Sequence, residues 1–173
     1  EIYTLSLHDA LPILSVMAGG GRLVVPQEPY QPHGAEPGGT FEAARPLVLW
    51  PFTRMNDPRF TWGGEFLQMR QDDKCASKLK FGVLNKQCWA AYALGKETFI
   101  KHHDYFEDGV YPDYGCNAEF FTMPGFLEIE TLSPLTLIPP RETLEHFESW
   151  AIAPVELPAD EPGIARALAP YLK

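Results

Sequence analysis

The chain has 173 residues, 45% of them hydrophobic and 21% charged, with a formal net charge of −9. That composition belongs to a folded globular chain rather than a disordered one. Its acidic excess repels nucleic acid and anionic membrane, and no apolar run reaches the ~20 residues that cross a bilayer, so neither is expected as a partner. Seventeen prolines and fourteen glycines demand many short elements joined by turns, which argues against a helical bundle.

Residues 1–13, Glu1-Ile-Tyr-Thr-Leu-Ser-Leu-His-Asp-Ala-Leu-Pro-Ile13, lack the basic n-region, apolar core and cleavage site of a signal peptide. They read as the conceptual translation of a common short-read sequencing adapter. The competing reading is a short native strand, since Ile2, Leu5, Leu7, Leu11 and Ile13 are apolar. On the adapter reading the native N-terminus is missing, and localisation stays open between cytoplasm and periplasm. Strands that should cover part of the sheet are then missing too, and the bared sheet surface would pair two copies into a homodimer.

From residue 14 onward the pattern is one of short strands. Residues 14–17 and 22–25 are β-prone runs around Gly19-Gly20-Gly21, read as a hairpin or tight loop. Residues 26–46 hold five prolines and form a long surface loop. Residues 47–50 are a compact apolar strand stopped by Pro51, 56–59 a turn, and 66–70 an alternating strand. Residues 80–84, 88–94 and 98–104, separated by three-residue connections, predict an antiparallel meander. An aromatic loop over 109–115 leads to a hairpin of 117–122 and 126–132, then to runs at 135–138 and 144–152. The one helix expected lies in the tail and ends near Pro170. Strands at this spacing with almost no helix indicate an all-β antiparallel sandwich. The boundaries are 1–13, a sandwich domain over 14–152, and a proline-rich tail over 153–173.

Three cysteines, Cys75, Cys88 and Cys116, show no CxxC spacing and read as ordinary thiols. His102 and His103 are adjacent on a strand, so they point to opposite faces and cannot easily share a metal; no metal or other cofactor is expected. The same alternation sorts the remaining polar residues. If the strands lie side by side, one sheet face carries Lys101, His103, Asn117, Glu119, Glu128 and Glu130, interleaved with phenylalanines. That is the makeup of a sugar-binding surface, and neighbouring carboxylates beside a His or Lys provide general base and general acid. A merely solvated face is the alternative.

Several blocks carry a resemblance. Leu-Trp-Pro-Phe-Thr (49–53), Asn-Asp-Pro-Arg (56–59), Trp-Ala-Ala-Tyr (89–92), Phe-Ile-Lys (99–101), Tyr-Pro-Asp-Tyr-Gly-Cys-Asn-Ala-Glu (111–119) and Leu-Glu-Ile-Glu-Thr-Leu-Ser-Pro-Leu (127–135) are similar to an uncharacterised bacterial family whose fold is galactose-mutarotase-like. The resemblance covers residues 14–152. It implies a sandwich that continues upstream and a small-molecule carbohydrate as partner, handled by aldose-epimerase-like acid–base chemistry or merely bound. It implies Glu128 or Glu130 as base, His103 or Lys101 as acid, and Asn117, Glu119, Trp89, Tyr111 and Asp113 as substrate contacts. Paired histidines after Phe-Ile-Lys are not usual in the family.

Overall fold

The computed structural model describes residues 8–9 and 12–172, with side chains from residue 12 onward. The adapter-like segment therefore lies mostly outside the described residues; of it, Pro12 and Ile13 are seen to pair with Leu132 and Thr131. The strands in chain order are β1 (His8–Asp9), β2 (Pro12–Ala18), β3 (Arg22–Pro26), β4 (Leu47–Leu49), β5 (Phe60–Trp62), β6 (Phe66–Arg70) and β7 (Leu79–Val83). They continue with β8 (Trp89–Leu94), β9 (Glu97–His103), β10 (Ala118–Met123), β11 (Phe126–Leu132), β12 (Thr136–Leu137) and β13 (Glu148–Ala153).

Two sheets form an antiparallel sandwich. One has five strands in the order β2-β11-β10-β7-β4, the other six in the order β13-β9-β8-β3-β6-β5, and β1 pairs with β12 apart from both. Alternation assigns the faces. Leu79, Phe81, Phe120, Leu127 and Ile129 from the first sheet meet Leu23, Val25, Leu67, Met69 and Tyr92 from the second in one buried core. The outer face of the six-stranded sheet is closed separately. There Val24, Ala91 and Ile100 pack against Ile164 and Leu168 of the helix Glu161–Leu168. Asp160 caps that helix through Gly163 N–H at 2.8 Å, and Glu161 takes the backbone N–H groups of Gly64, Glu65 and Phe66 at 3.2, 2.9 and 2.9 Å.

Two hairpins are as expected, β8–β9 turning through Gly95 (φ +60°) and β10–β11 through Gly125 (φ +98°). Two local readings are corrected. β7 and β8 lie in different sheets, so residues 80–104 are not a meander. Likewise β2 and β3 straddle the core, so of the hairpin or tight loop expected at Gly19-Gly20-Gly21 the hairpin is excluded and the tight loop is found, crossing between the sheets. Tyr92 explains it: its hydroxyl donates to Ala18 O (2.5 Å) and accepts from Gly21 N–H (2.9 Å). A Cβ at Gly21 would sit 2.3 Å from that ring, so only glycine passes there. The run at 144–152 is strand only from Glu148, and β5 has no counterpart in the sequence reading.

Among the described residues the edge strands are β2 and β4 in one sheet and β13 and β5 in the other. Val16 on β2 and Trp150 and Ile152 on β13 are exposed there, at 60%, 62% and 70%.

Candidate functional site

The five-stranded sheet turns Leu127 and Ile129 inward, so Glu128 and Glu130 project from its outer face. Glu119 stands directly opposite Glu130 across the β10–β11 ladder. On the other side of β10, Lys80 of β7 is opposite Phe121, and Gly82 is opposite Glu119. Gly82 is required because a Cβ there would lie 2.5 Å from Cys116 Sγ. The missing side chain lets Cys116 and Glu119 settle against the sheet.

Lys80 is the hub. Its Nζ lies 2.7 Å from Glu119 Oε2 and 3.0 Å from Glu130 Oε1, and 4.6 Å from the centre of the Trp50 ring. Trp50 is placed by the turn that stops β4. Thr53 Oγ1 donates to Lys80 O (2.6 Å) and accepts from Lys80 N–H (2.9 Å), continuing the pairing where the strand ends. Phe52 and Phe126 both pack against Phe121, giving the face an aromatic fringe.

Burial pulls the Lys80 ammonium down, but its two carboxylates more than offset this and hold it above the ordinary lysine value. Glu119 goes the other way. Burial, opposed by Lys80 and reinforced by Asp113 and Glu130, pushes its carboxyl up to about 7. Burial also raises Glu128, with the nearby Glu130 charge adding to it. Two carboxyls bond each other only when one is protonated, so Asp113 favours the acid form of Glu119. Asp113 and Tyr114 reach this position with φ of +48° and +61°, in the left-handed region that costs a non-glycine residue about 1 kcal/mol or more. The result is a cluster of three glutamates and one lysine on the outer face, with Glu119 and Glu130 buried and a carboxyl that titrates near neutrality.

Lys101 and His103 are elsewhere. β9 belongs to the six-stranded sheet and faces them inward, so the single polar face expected from alternation is corrected to two separate clusters. Lys101, fully buried, donates to Ile13 O (2.8 Å), Ser15 Oγ (3.1 Å) and Ile129 O (3.0 Å), and lies 2.6 Å from Glu148 Oε1. Burial holds its pKa below the ordinary value, against the pull of Glu148. Thr131 also donates to Glu148, and Trp150 Nε1 does so at 2.9 Å. Burial drives His103 down to about 4.

No protein-family model, curated protein or solved structure matches this chain. The geometry therefore carries the functional argument unaided.

The other expected contacts divide. Asp113 joins Glu119. Asn117 is sealed in a reciprocal clip with Asn85, accepting from its N–H (2.6 Å) and donating to its carbonyl (3.0 Å). Tyr111 accepts from Phe106 N–H at 2.9 Å and stacks on Tyr105, holding its loop. Trp89 is buried on the helix-covered side of the other sheet beside Phe66. None of these three reaches the outer-face niche. His102 does point away from His103, to Tyr171 O (3.2 Å), and no group of three metal-ligating side chains occurs among the described residues. Burial raises the Cys116 thiol to about 12, which leaves it inert.

Sequence reasoning missed Lys80, Trp50, Thr131, His146 and Glu148. Lys80 did carry a signal, a lone cation between Leu79 and Phe81 on an alternating strand.

Proposed function

We propose that the outer face of the five-stranded sheet is a carbohydrate site with epimerase-like acid–base capacity. The observation that supports it is the convergence of Glu119 and Glu130 on one half-buried lysine beside the Trp50 ring. An aromatic ring next to fixed carboxylates suits a sugar, which offers an apolar C–H face and hydroxyl donors. Glu119 is the proton carrier, since its carboxyl titrates near neutrality. Glu130 or Glu128 is the acceptor. In an anomer exchange, the acceptor takes the anomeric hydroxyl proton while Glu119 gives its proton to the ring oxygen. The C1–O5 bond then opens to the aldehyde, and reclosure returns both protons. In this reading the acid role passes from His103 and Lys101 to Glu119.

The second reading is a sugar-binding face without turnover. It is favoured by Lys80, whose ammonium already occupies both Glu119 and Glu130. Exchange NMR on a panel of aldoses separates the two. Faster anomer interconversion, lost in Glu119→Gln and Glu130→Gln, supports catalysis. Saturable binding without acceleration supports the second reading, and a folded protein silent to every sugar sinks both. Exposed Val16, Trp150 and Ile152 on the edge strands β2 and β13 also support self-association; light scattering that returns a monomer at every concentration removes that inference.

A further inference from the structure

A buried arginine that the outer-face reading does not use braces the wall of a surface cleft. Arg59, 2% exposed, grips Asp57 through its backbone N–H and Nε on Oδ1 (3.0 and 2.9 Å) and through Nη2 on Oδ2 (2.9 Å). The same Nη2 donates to Ser77 Oγ at 3.1 Å. Ser77 accepts there, and among the described residues its own proton is contested only by Cys75 Sγ at 3.2 Å, a weak acceptor. Hydrogen bonds from Arg59 hold the Asp57 carboxyl below the usual carboxylate range against burial, and the Arg54 charge adds to this. Asp57 and Arg59 are therefore both ionised, and each cancels the other.

Asp57 and Ser77 line a cleft of about 660 Å³, together with Phe52, Arg54, Asn56 and Lys78. Arg54 and Lys78 are exposed and, among the described residues, make no ion pair. The Asp57 N–H donates to Arg54 O at 3.0 Å, which ties the backbone of the free arginine to the braced wall. Asp57 is the one acid lining the cleft and Arg59 cancels it, so two positive charges stand there uncompensated in a chain of net charge −9. Phe52, 45% exposed, packs edge-on against Phe121 and adds a fixed apolar surface.

We propose that this cleft binds the phosphate group of an organic phosphate monoester whose apolar body rests on Phe52. Charge selects the class. A phosphate monoester carries about two negative charges at neutral pH, matching Arg54 and Lys78, whereas a carboxylate carries one. Arginine offers a planar fork to two phosphate oxygens, lysine a point charge and Ser77 a hydroxyl. A cation would meet two like charges, and a neutral molecule would leave both without a counter-charge. The inference does not rest on the carbohydrate reading, because it uses none of Lys80, Glu119 and Glu130.

The test is titration calorimetry of the whole chain with phenyl phosphate and no sugar present, so it stands whichever way the aldose panel falls. Saturable binding is expected, strengthening between about pH 5 and 7 as the phosphate loses its second proton. Arg54→Gln and Lys78→Gln, both at exposed positions, each weaken it about tenfold, the scale of one charge-assisted hydrogen bond. Arg54→Lys, which keeps the charge but not the fork, loses less. Phe52→Ala weakens phenyl phosphate and leaves inorganic phosphate as it was, which separates an organic monoester from the free ion. Absence of saturable binding, equal affinity for inorganic phosphate or for benzyl alcohol, or unchanged affinity in both charge variants overturns the proposal.

Discussion

Lys80 and Lys101 are both strand lysines paired with glutamate, yet their surroundings drive them in opposite directions. Lys80, on an outer face, has two carboxylates and an aromatic ring, and its charge is favoured. Lys101, between the sheets, has one carboxylate and three neutral acceptors, and burial disfavours its charge. The lesson is one of division of labour. The interior cluster ties β2, β9, β11 and β13 together, whereas the outer cluster holds a carboxyl that titrates near neutrality.

The sharpest way to break this contrast is to remove each charge. Lys101→Met strands Glu148 in the interior and should cost about 3–5 kcal/mol in urea denaturation, with Lys101→Met/Glu148→Leu recovering most of it. Lys80→Met should cost only about 1 kcal/mol, because Glu119 and Glu130 can take up a proton or meet water instead. Equal losses would mean that the two lysines do the same job.

The pH dependence comes next. Glu119 titrates near 7 when folded and 4.5 when unfolded, so between those values the native state binds more protons and stability falls as pH rises. His103 titrates near 4 when folded and 6.5 when unfolded, so its contribution rises with pH over that window and is lost as pH falls. Each is worth on the order of 3 kcal/mol, and in the wild type they largely cancel between pH 4.5 and 6.5. Glu119→Gln should therefore expose a rising stability–pH curve, and His103→Asn a falling one. A flat curve in either variant refutes the assignment. Gly82→Ala, which drives a methyl into Cys116, should cost about 1–3 kcal/mol and disturb the Glu119 titration with it. The smallest effect on stability is expected for Trp50→Ala, about 0.5–1 kcal/mol for the lost cation–π contact, together with loss of sugar binding on the proposed reading.

Much of this was legible from local pattern. Alternation in 126–132 put Glu128 and Glu130 on one side and Leu127 and Ile129 on the other, and β10 and β11 follow that register. Adjacent His102 and His103 were expected on opposite faces and are found there. Alternation is silent, however, about which sheet a strand joins. Residues 84–88 look like a hairpin connection but carry the chain from one sheet to the other, and that shift removed Lys101 and His103 from the carboxylate face. Asn117 and Tyr111 looked like ligand contacts because their residue types suit sugars; their partners, Asn85 and Phe106, lie in loops whose approach no periodicity encodes.

By itself, then, the sequence determined the all-β class, the turns at Gly95 and Gly125 and the in–out order along each strand, because these depend on neighbours a few residues apart. Only the tertiary structure decided that Lys80 gathers Glu119 and Glu130, residues separated by 39 and 50 positions along the chain. The same is true of Lys101 and Glu148, which meet across paired strands. Burial and charge pairing set what those groups can do, and both are properties of the packed sandwich.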